Sequence, residues 1–160
     1  MKLIPLSKKT EVFAIVDDED YEALMRLKWH YSGGYPTHSY LKPDKSGTAT
    51  IQMGRYLLGL VPGDGLQCDH INRNRLDNRR ANLRAVDHAA NSQNIGARGG
   101  TSEHRGVFWV KRTKKWRATA MVRRKLHVLG DFADEAEAAN AAWEFRKHHM
   151  PHSAEASEPA

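Results

Sequence analysis

The chain has 160 residues, with 25 Lys and Arg against 19 Asp and Glu, one cysteine and 40% hydrophobic residues. That length makes one compact domain or two small modules, and a single cysteine excludes a disulfide framework and a Cys-rich zinc site. Any metal must then be held by His, Asp, Asn or Glu. No apolar run approaches the ~18 residues of a membrane span, and MKLIPLSKKTEVFAIV lacks the uninterrupted apolar stretch of a secretory signal. A soluble, intracellular protein is expected. Charge is unevenly spread: residues 1–66 are net 0, residues 67–131 hold 15 basic and 5 acidic side chains, net +10, and residues 132–160 are net −4. A basic middle between neutral and acidic ends predicts a polyanionic partner, nucleic acid first.

In chain order, residues 1–62 read as a small β-rich unit with one short helix. EVFAIVDD is an apolar run closed by acids, a strand that ends at a helix start. Asp17 or Asp18 can cap DEDYEALMRLKW, and Gly33-Gly34 ends that segment. Tyr35–Leu41 and Thr48–Leu58 read as two further strands around the turn KPDKSG. After the turn VPGDG, Cys68–Asn72 and Asn82–Val86 are short strands joined by a polar, Arg- and Asn-rich loop. Asp87 then caps a helix from His88 to about Ile95.

GARGGTSEH (residues 96–104) is a Gly/Ser/Thr-rich linker and the expected domain boundary, closing a first module at residue 95. Beyond it, GVFWVKR, KWRATAMV and KLHVLGDF make three strands separated by basic turns. DEAEAANAAWEFRKHHM is an Ala-rich helix with acids in its first turn and bases in its last, as the helix dipole favours. Pro151 stops it, and residues 151–160 are small, polar and expected to be disordered. The fold class expected is α+β.

The chemistry concentrates around Asp69 and His70, at the end of a strand. Asn82 lies twelve positions beyond His70, and Asn91 twenty-two beyond Asp69. Strand, loop, strand, helix folds the helix back over the hairpin and turns Asn91 toward Asp69 and His70. A carboxylate and an amide oxygen are hard donors suited to Mg²⁺ with open water positions. A neighbouring imidazole titrates near neutrality and can deprotonate an attacking water. Metal-assisted phosphodiester hydrolysis needs that set. Asn94, three positions beyond Asn91, is a rival for the helix ligand.

CDHINRNRLDNRRANLR followed by AANSQN closely resembles the HNH (ββα-metal) endonucleases, most of all the phage and intron homing branch whose last motif position is Asn. The resemblance implies that Asp69 and Asn91 ligate Mg²⁺ or Mn²⁺ and that His70 is the general base. It implies that Asn82 holds the hairpin and orients the base, that the substrate is double-stranded DNA, and that the products carry 5′-phosphate and 3′-hydroxyl ends. Arg73, Arg75, Arg79, Arg80 and Arg84 are then phosphate clamps. It also implies a monomer working in the cytoplasm of a bacterial or phage-infected host cell. One departure is Gly54, in Met53-Gly54-Arg55, where relatives commonly show Met-His-Arg. The other function class weighed is a non-cleaving DNA-binding regulator with an inactive HNH fold.

Residues 105–150 resemble the Apetala-type (ethylene-response-factor) DNA-binding domain through Arg105-Gly106-Val107, Lys115-Trp116-Arg117-Ala118, Leu129-Gly130-Asp131-Phe132 and the Ala-rich helix. That resemblance implies a three-stranded antiparallel sheet backed by one helix and laid in the major groove. DNA contacts are expected from Arg105, Arg112, Arg117, Thr119 and Arg123, and Phe108, Val110 and Met121 stand where the family usually places base-contacting arginines.

Overall fold

A computed structural model describes residues 1–7, 11–97 and 99–157. The chain divides into two units, Met1–Asn91 and Ser92–Ala160. It is mixed α and β, with several small antiparallel sheets and few helices. No helix among the described residues is long and apolar enough to cross a membrane.

In the first unit, β1 (Lys2–Pro5) pairs with β2 (Phe13–Val16), whose alternation buries Ala14 and Val16. Helix α1 (Asp18–Met25) follows, with three acids in its first turn. The Asp17 side chain makes no cap bond; its carboxylate accepts from the backbone N–H of Arg80 at 2.7 Å instead. Trp29 Nε1 donates to the Leu24 carbonyl at 2.8 Å, satisfying an acceptor at the helix end. Ile4, Leu6, Ala14, Val16, Leu24, Trp29 and Met53 form the buried core.

Trp29–Ser32 is a strand, β3, rather than the close of the helical segment. It pairs with β4 (Tyr35–Leu41) across Gly33-Gly34, whose φ values of 58° and 87° make a two-residue turn with the twist a hairpin requires. The strand expected over Thr48–Leu58 is divided. β5 (Thr48–Gln52) pairs with β4, and the chain then coils into α2 (Met53–Leu57). The break buries Met53 and lets Gly54 seat against the next strand, which an extended chain would not allow. β6 (Gln67–His70) and β7 (Leu83–Val86) form a separate hairpin, and α3 (His88–Asn91) packs on both strands. Ala90 N donates to Asp87 at 2.7 Å, so the expected cap is made. The α-helix ends at Asn91, with a 3₁₀ turn at Ser92–Asn94 beyond it.

In the second unit, β8 (Val107–Val110), β9 (Lys115–Val122) and β10 (Lys125–Phe132) form an antiparallel sheet in the order β10-β9-β8. Helix α4 (Glu135–His149) is capped by Asp134, which accepts from Ala136 N and Glu137 N. Ala138 and Ala142 pack on Val107 and Ala118 of the sheet, and small side chains allow that close approach. Residues 151–157, expected in a disordered tail, instead carry α5 (Ala154–Ser157). Glu155 there pairs with Arg146 at 2.8 Å, both side chains buried, so an ion pair orders a segment of low hydrophobicity. Residues 158–160 lie outside the described residues.

Candidate active site

The β6–β7 register sets Asp69 opposite Arg84 and His70 opposite Leu83. Asp69 and His70 are both buried, on successive positions whose side chains take opposite faces of the hairpin. The intervening loop is braced by its own amides. Asn82 Oδ1 accepts from Asn72 N at 2.9 Å, and its Nδ2 donates to the Asp77 carbonyl at 2.7 Å. Asn72 Nδ2 donates to Asp77 Oδ2 at 2.8 Å, and Arg79 grips both Asp77 oxygens at 2.7 and 2.6 Å. The Arg79 hydrogen bonds hold the Asp77 carboxyl below its ordinary range. Asn78 N donates to the Ile15 carbonyl and Ile15 N to that of Leu76, each at 2.8 Å, so β2 anchors the loop.

His70 therefore sits on a fixed platform. Its Nε2 lies 3.3 Å from Oδ1 of Asn78, which is fully buried. Asn78 Nδ2 donates to the Arg75 carbonyl at 3.2 Å, and this sets the amide orientation. The oxygen faces the ring, so Nε2 is the protonated nitrogen and Nδ1 carries the lone pair. Burial pushes the His70 pKa below its ordinary value, against the opposing pull of the Asn78 bond and the Asp69 and Asp77 charges. Burial thus favours the neutral ring, the form that can accept a proton. Tyr35 lies beside it, ring centroids 6.2 Å apart.

The Asp69 carboxylate accepts from Arg84 Nε at 2.8 Å and pairs with Nη2 at 2.7 Å. Asn91 is half-buried on α3, and its Nδ2 donates to Gln67 Oε1 on the strand that carries Asp69. That donation leaves Oδ1 as the amide atom for a cation. Among the described residues no group of three or more His, Cys, Asp or Glu could hold a metal ion. Asp69 and Asn91 each offer an oxygen donor of the hard kind that a divalent cation takes. Asn94 is buried and belongs to the second unit. Burial pushes the Cys68 thiol up to about 12, so it stays protonated and is no nucleophile.

Gly54 meets this hairpin directly. A Cβ there would lie 2.5 Å from Cys68 Sγ and 3.4 Å from Asn78 Oδ1.

Residues 53–93 match the family model described as HNH endonuclease. The matched HNH segment runs from α2 through β6, β7 and α3, and Asp69, His70, Asn82 and Asn91 fall within it. It supports membership of the HNH family, and with it nuclease activity on DNA in general, over less than half of the chain. No curated protein and no solved structure matches the chain.

The arginines of the HNH segment divide by partner. Arg79 and Arg84 grip Asp77 and Asp69, and Arg80 holds Asp20 through two bonds of 2.9 and 2.7 Å. Arg73 and Arg75 are exposed, and the Arg75 guanidinium stacks 4.5 Å from the Tyr35 ring centroid. In the second unit, Arg105 donates to the Gln93 carbonyl, and Arg117 pairs with Asp131 at 2.6 and 2.7 Å. Thr119 is buried and bonds the Gly106 carbonyl, while Arg112 and Arg123 are exposed in the two turns. Asn78, the residue that touches His70, carried no role in the sequence. Its only signal was its place inside LDNRR.

Proposed function

We propose that the chain is a divalent-metal-dependent DNA endonuclease of the HNH homing type, with a ββα-metal site at β6, β7 and α3. It hydrolyses a phosphodiester bond at a recognised site in double-stranded DNA, acting as a monomer. The observation that carries this reading is the buried His70 next to Asp69 in sequence, its ring held by Asn78 within the matched segment. Asp69 and Asn91 would hold Mg²⁺ or Mn²⁺, two oxygen donors leaving room for water and phosphate. When bound, such an ion stabilises negative charge at the scissile phosphate and the leaving 3′ oxygen. His70 takes the proton of the attacking water at Nδ1, while Asn78 holds Nε2 and Asn82 keeps the loop from opening. Water adds to phosphorus as the P–O3′ bond breaks, and the leaving 3′ oxygen takes a proton from solvent, giving 5′-phosphate and 3′-hydroxyl ends. Arg73 and Arg75, exposed beside the site, are the strongest phosphate clamps of the first unit. We assign the second unit the role of an Apetala-type DNA-reading module, which raises the local concentration of the cutter at its site.

A non-cleaving DNA-binding regulator is the second reading, favoured by the Asp69 carboxylate being bonded to Arg84. Incubation of supercoiled plasmid with purified protein separates the two. Nicking that needs Mg²⁺ or Mn²⁺, stops with EDTA and is lost in His70→Ala while DNA binding survives is the expected result. Wild-type cleavage by His70→Ala rejects the base assignment, and salt-sensitive binding without cleavage under any divalent ion favours the regulator.

A further inference from the structure

Cross-strand partners share a face of an antiparallel sheet, as do residues two apart along a strand. The pairs Leu126↔Met121, Val128↔Thr119 and Phe108↔Arg117 therefore lie together on one face of the second unit's sheet, opposite the face that packs on α4. That outward face is apolar in its exposed part: Phe108 is 42% exposed, Met121 53%, Leu126 56% and Val128 59%. The polar groups among them are already satisfied. Arg117 is neutralised by Asp131 across the ladder, and the Thr119 hydroxyl donates to Gly106. Hydrogen-bonded base reading is not what this face offers.

Both ends of the same sheet are strongly basic. Lys111, Arg112, Lys114 and Lys115 are exposed around the β8–β9 turn, and Arg123, Arg124 and Lys125 around the β9–β10 turn. An eight-residue strand such as β9 spans about 26 Å, whereas the major groove is about 12 Å wide. A ribbon crossing that groove puts its middle on base edges and its ends on the two phosphate backbones. The thymine C5-methyl is the apolar group that the groove presents. A second copy stacked on the face would bring basic turn against basic turn, which charge opposes.

We propose that this sheet face enters the major groove and reads thymine C5-methyl groups by apolar contact, the two basic turns gripping phosphate on either side. The inference rests on the duplex-DNA substrate of the preceding section and names what in that substrate is recognised.

The test uses the full-length protein in EDTA, so that binding is read without cleavage. Duplexes selected by the protein from a randomised pool are resynthesised with deoxyuridine for every thymidine, which removes only the methyl groups. Binding is expected to weaken about fourfold per contacted methyl. The exposed-site variant Leu126→Thr/Val128→Thr, which places β-branched residues at both strand positions, should bind the thymine duplex more weakly than wild type does and lose less affinity on going to the uracil duplex. A thymine-to-uracil affinity ratio equal to that of wild type overturns the assignment of the contact to these two side chains. Equal wild-type affinity for the two duplexes overturns the methyl reading and leaves the DNA substrate standing. No binding to either duplex at low salt overturns the DNA substrate itself. Sedimentation of a dimer that Leu126→Thr/Val128→Thr converts to monomer, with no preference between the duplexes, gives the face to a second copy and overturns the proposal.

Discussion

Asn78 Oδ1 lies 3.3 Å from His70 Nε2, and the same amide donates to the Arg75 carbonyl, so the imidazole of the candidate base is oriented by a fully buried neighbour. Asn82, the expected orienting residue, spends both amide groups on the backbone of the loop at Asn72 and Asp77. Holding the loop and holding the ring are thus divided between two asparagines.

Asn78→Ala removes the ring's acceptor and opens a small cavity. It is expected to destabilise the first unit by about 1–3 kcal/mol and to lower nicking at least about tenfold, the scale of a misplaced general base. Asn78→Asp keeps an oxygen toward Nε2 and should recover much of the rate. A melting curve and a plasmid-nicking time course on both variants decide this; equal losses in the two would show that Oδ1 does not position the ring.

The His70 pKa lies below its ordinary value because burial disfavours the imidazolium. The acid limb of the rate–pH profile, read at saturating divalent ion, should therefore have its midpoint below about 6.5. The linked stability has the sign of a depressed group. It is present above the unfolded value of about 6.5 and is lost as pH falls from there toward the lowered folded value. His70→Gln should flatten that part of the stability curve. A midpoint at or above the ordinary value would contradict the burial effect.

Gly54 fits because nothing projects from it toward Cys68. Gly54→Ala would press a Cβ to 2.5 Å from Sγ, and overpacking of this kind is expected to destabilise by about 1–3 kcal/mol. In a Cys68→Ala background the obstructing sulfur is gone, so the same change should be nearly neutral. A double-mutant cycle in urea measures the coupling; purely additive effects would mean that the contact relaxes elsewhere.

Truncation after Met150 removes Glu155 and leaves Arg146, a buried guanidinium, with its bond to the Arg105 carbonyl but without its partner charge from α5. Loss of one member of such a pair is expected to destabilise the second unit by about 3–5 kcal/mol. Arg146→Met in the truncated chain should restore part of that loss, since no buried charge then remains. Unchanged thermal unfolding of the truncated protein would refute the assignment.

Local pattern was enough for the second unit's three strands, their basic turns and the Ala-rich helix, because alternation, Gly and charge placement are properties of short segments. The β6–β7 hairpin and α3 with its Asp87 cap were equally legible. Other features needed distant partners. Strand β5 gives way to α2 at Met53 because burial there outweighs the local extended preference. Arg79, Arg80 and Arg84 read as bare cations along the chain, yet Asp77, Asp20 and Asp69 reach them only once the chain folds back. Asn78 acquires its place on His70 the same way, since β2 must first hold the loop. Spacing along the chain reports what a residue is and which neighbours share its segment; which carboxylate or imidazole it meets depends on contacts far apart in sequence, and these only the folded chain brings together.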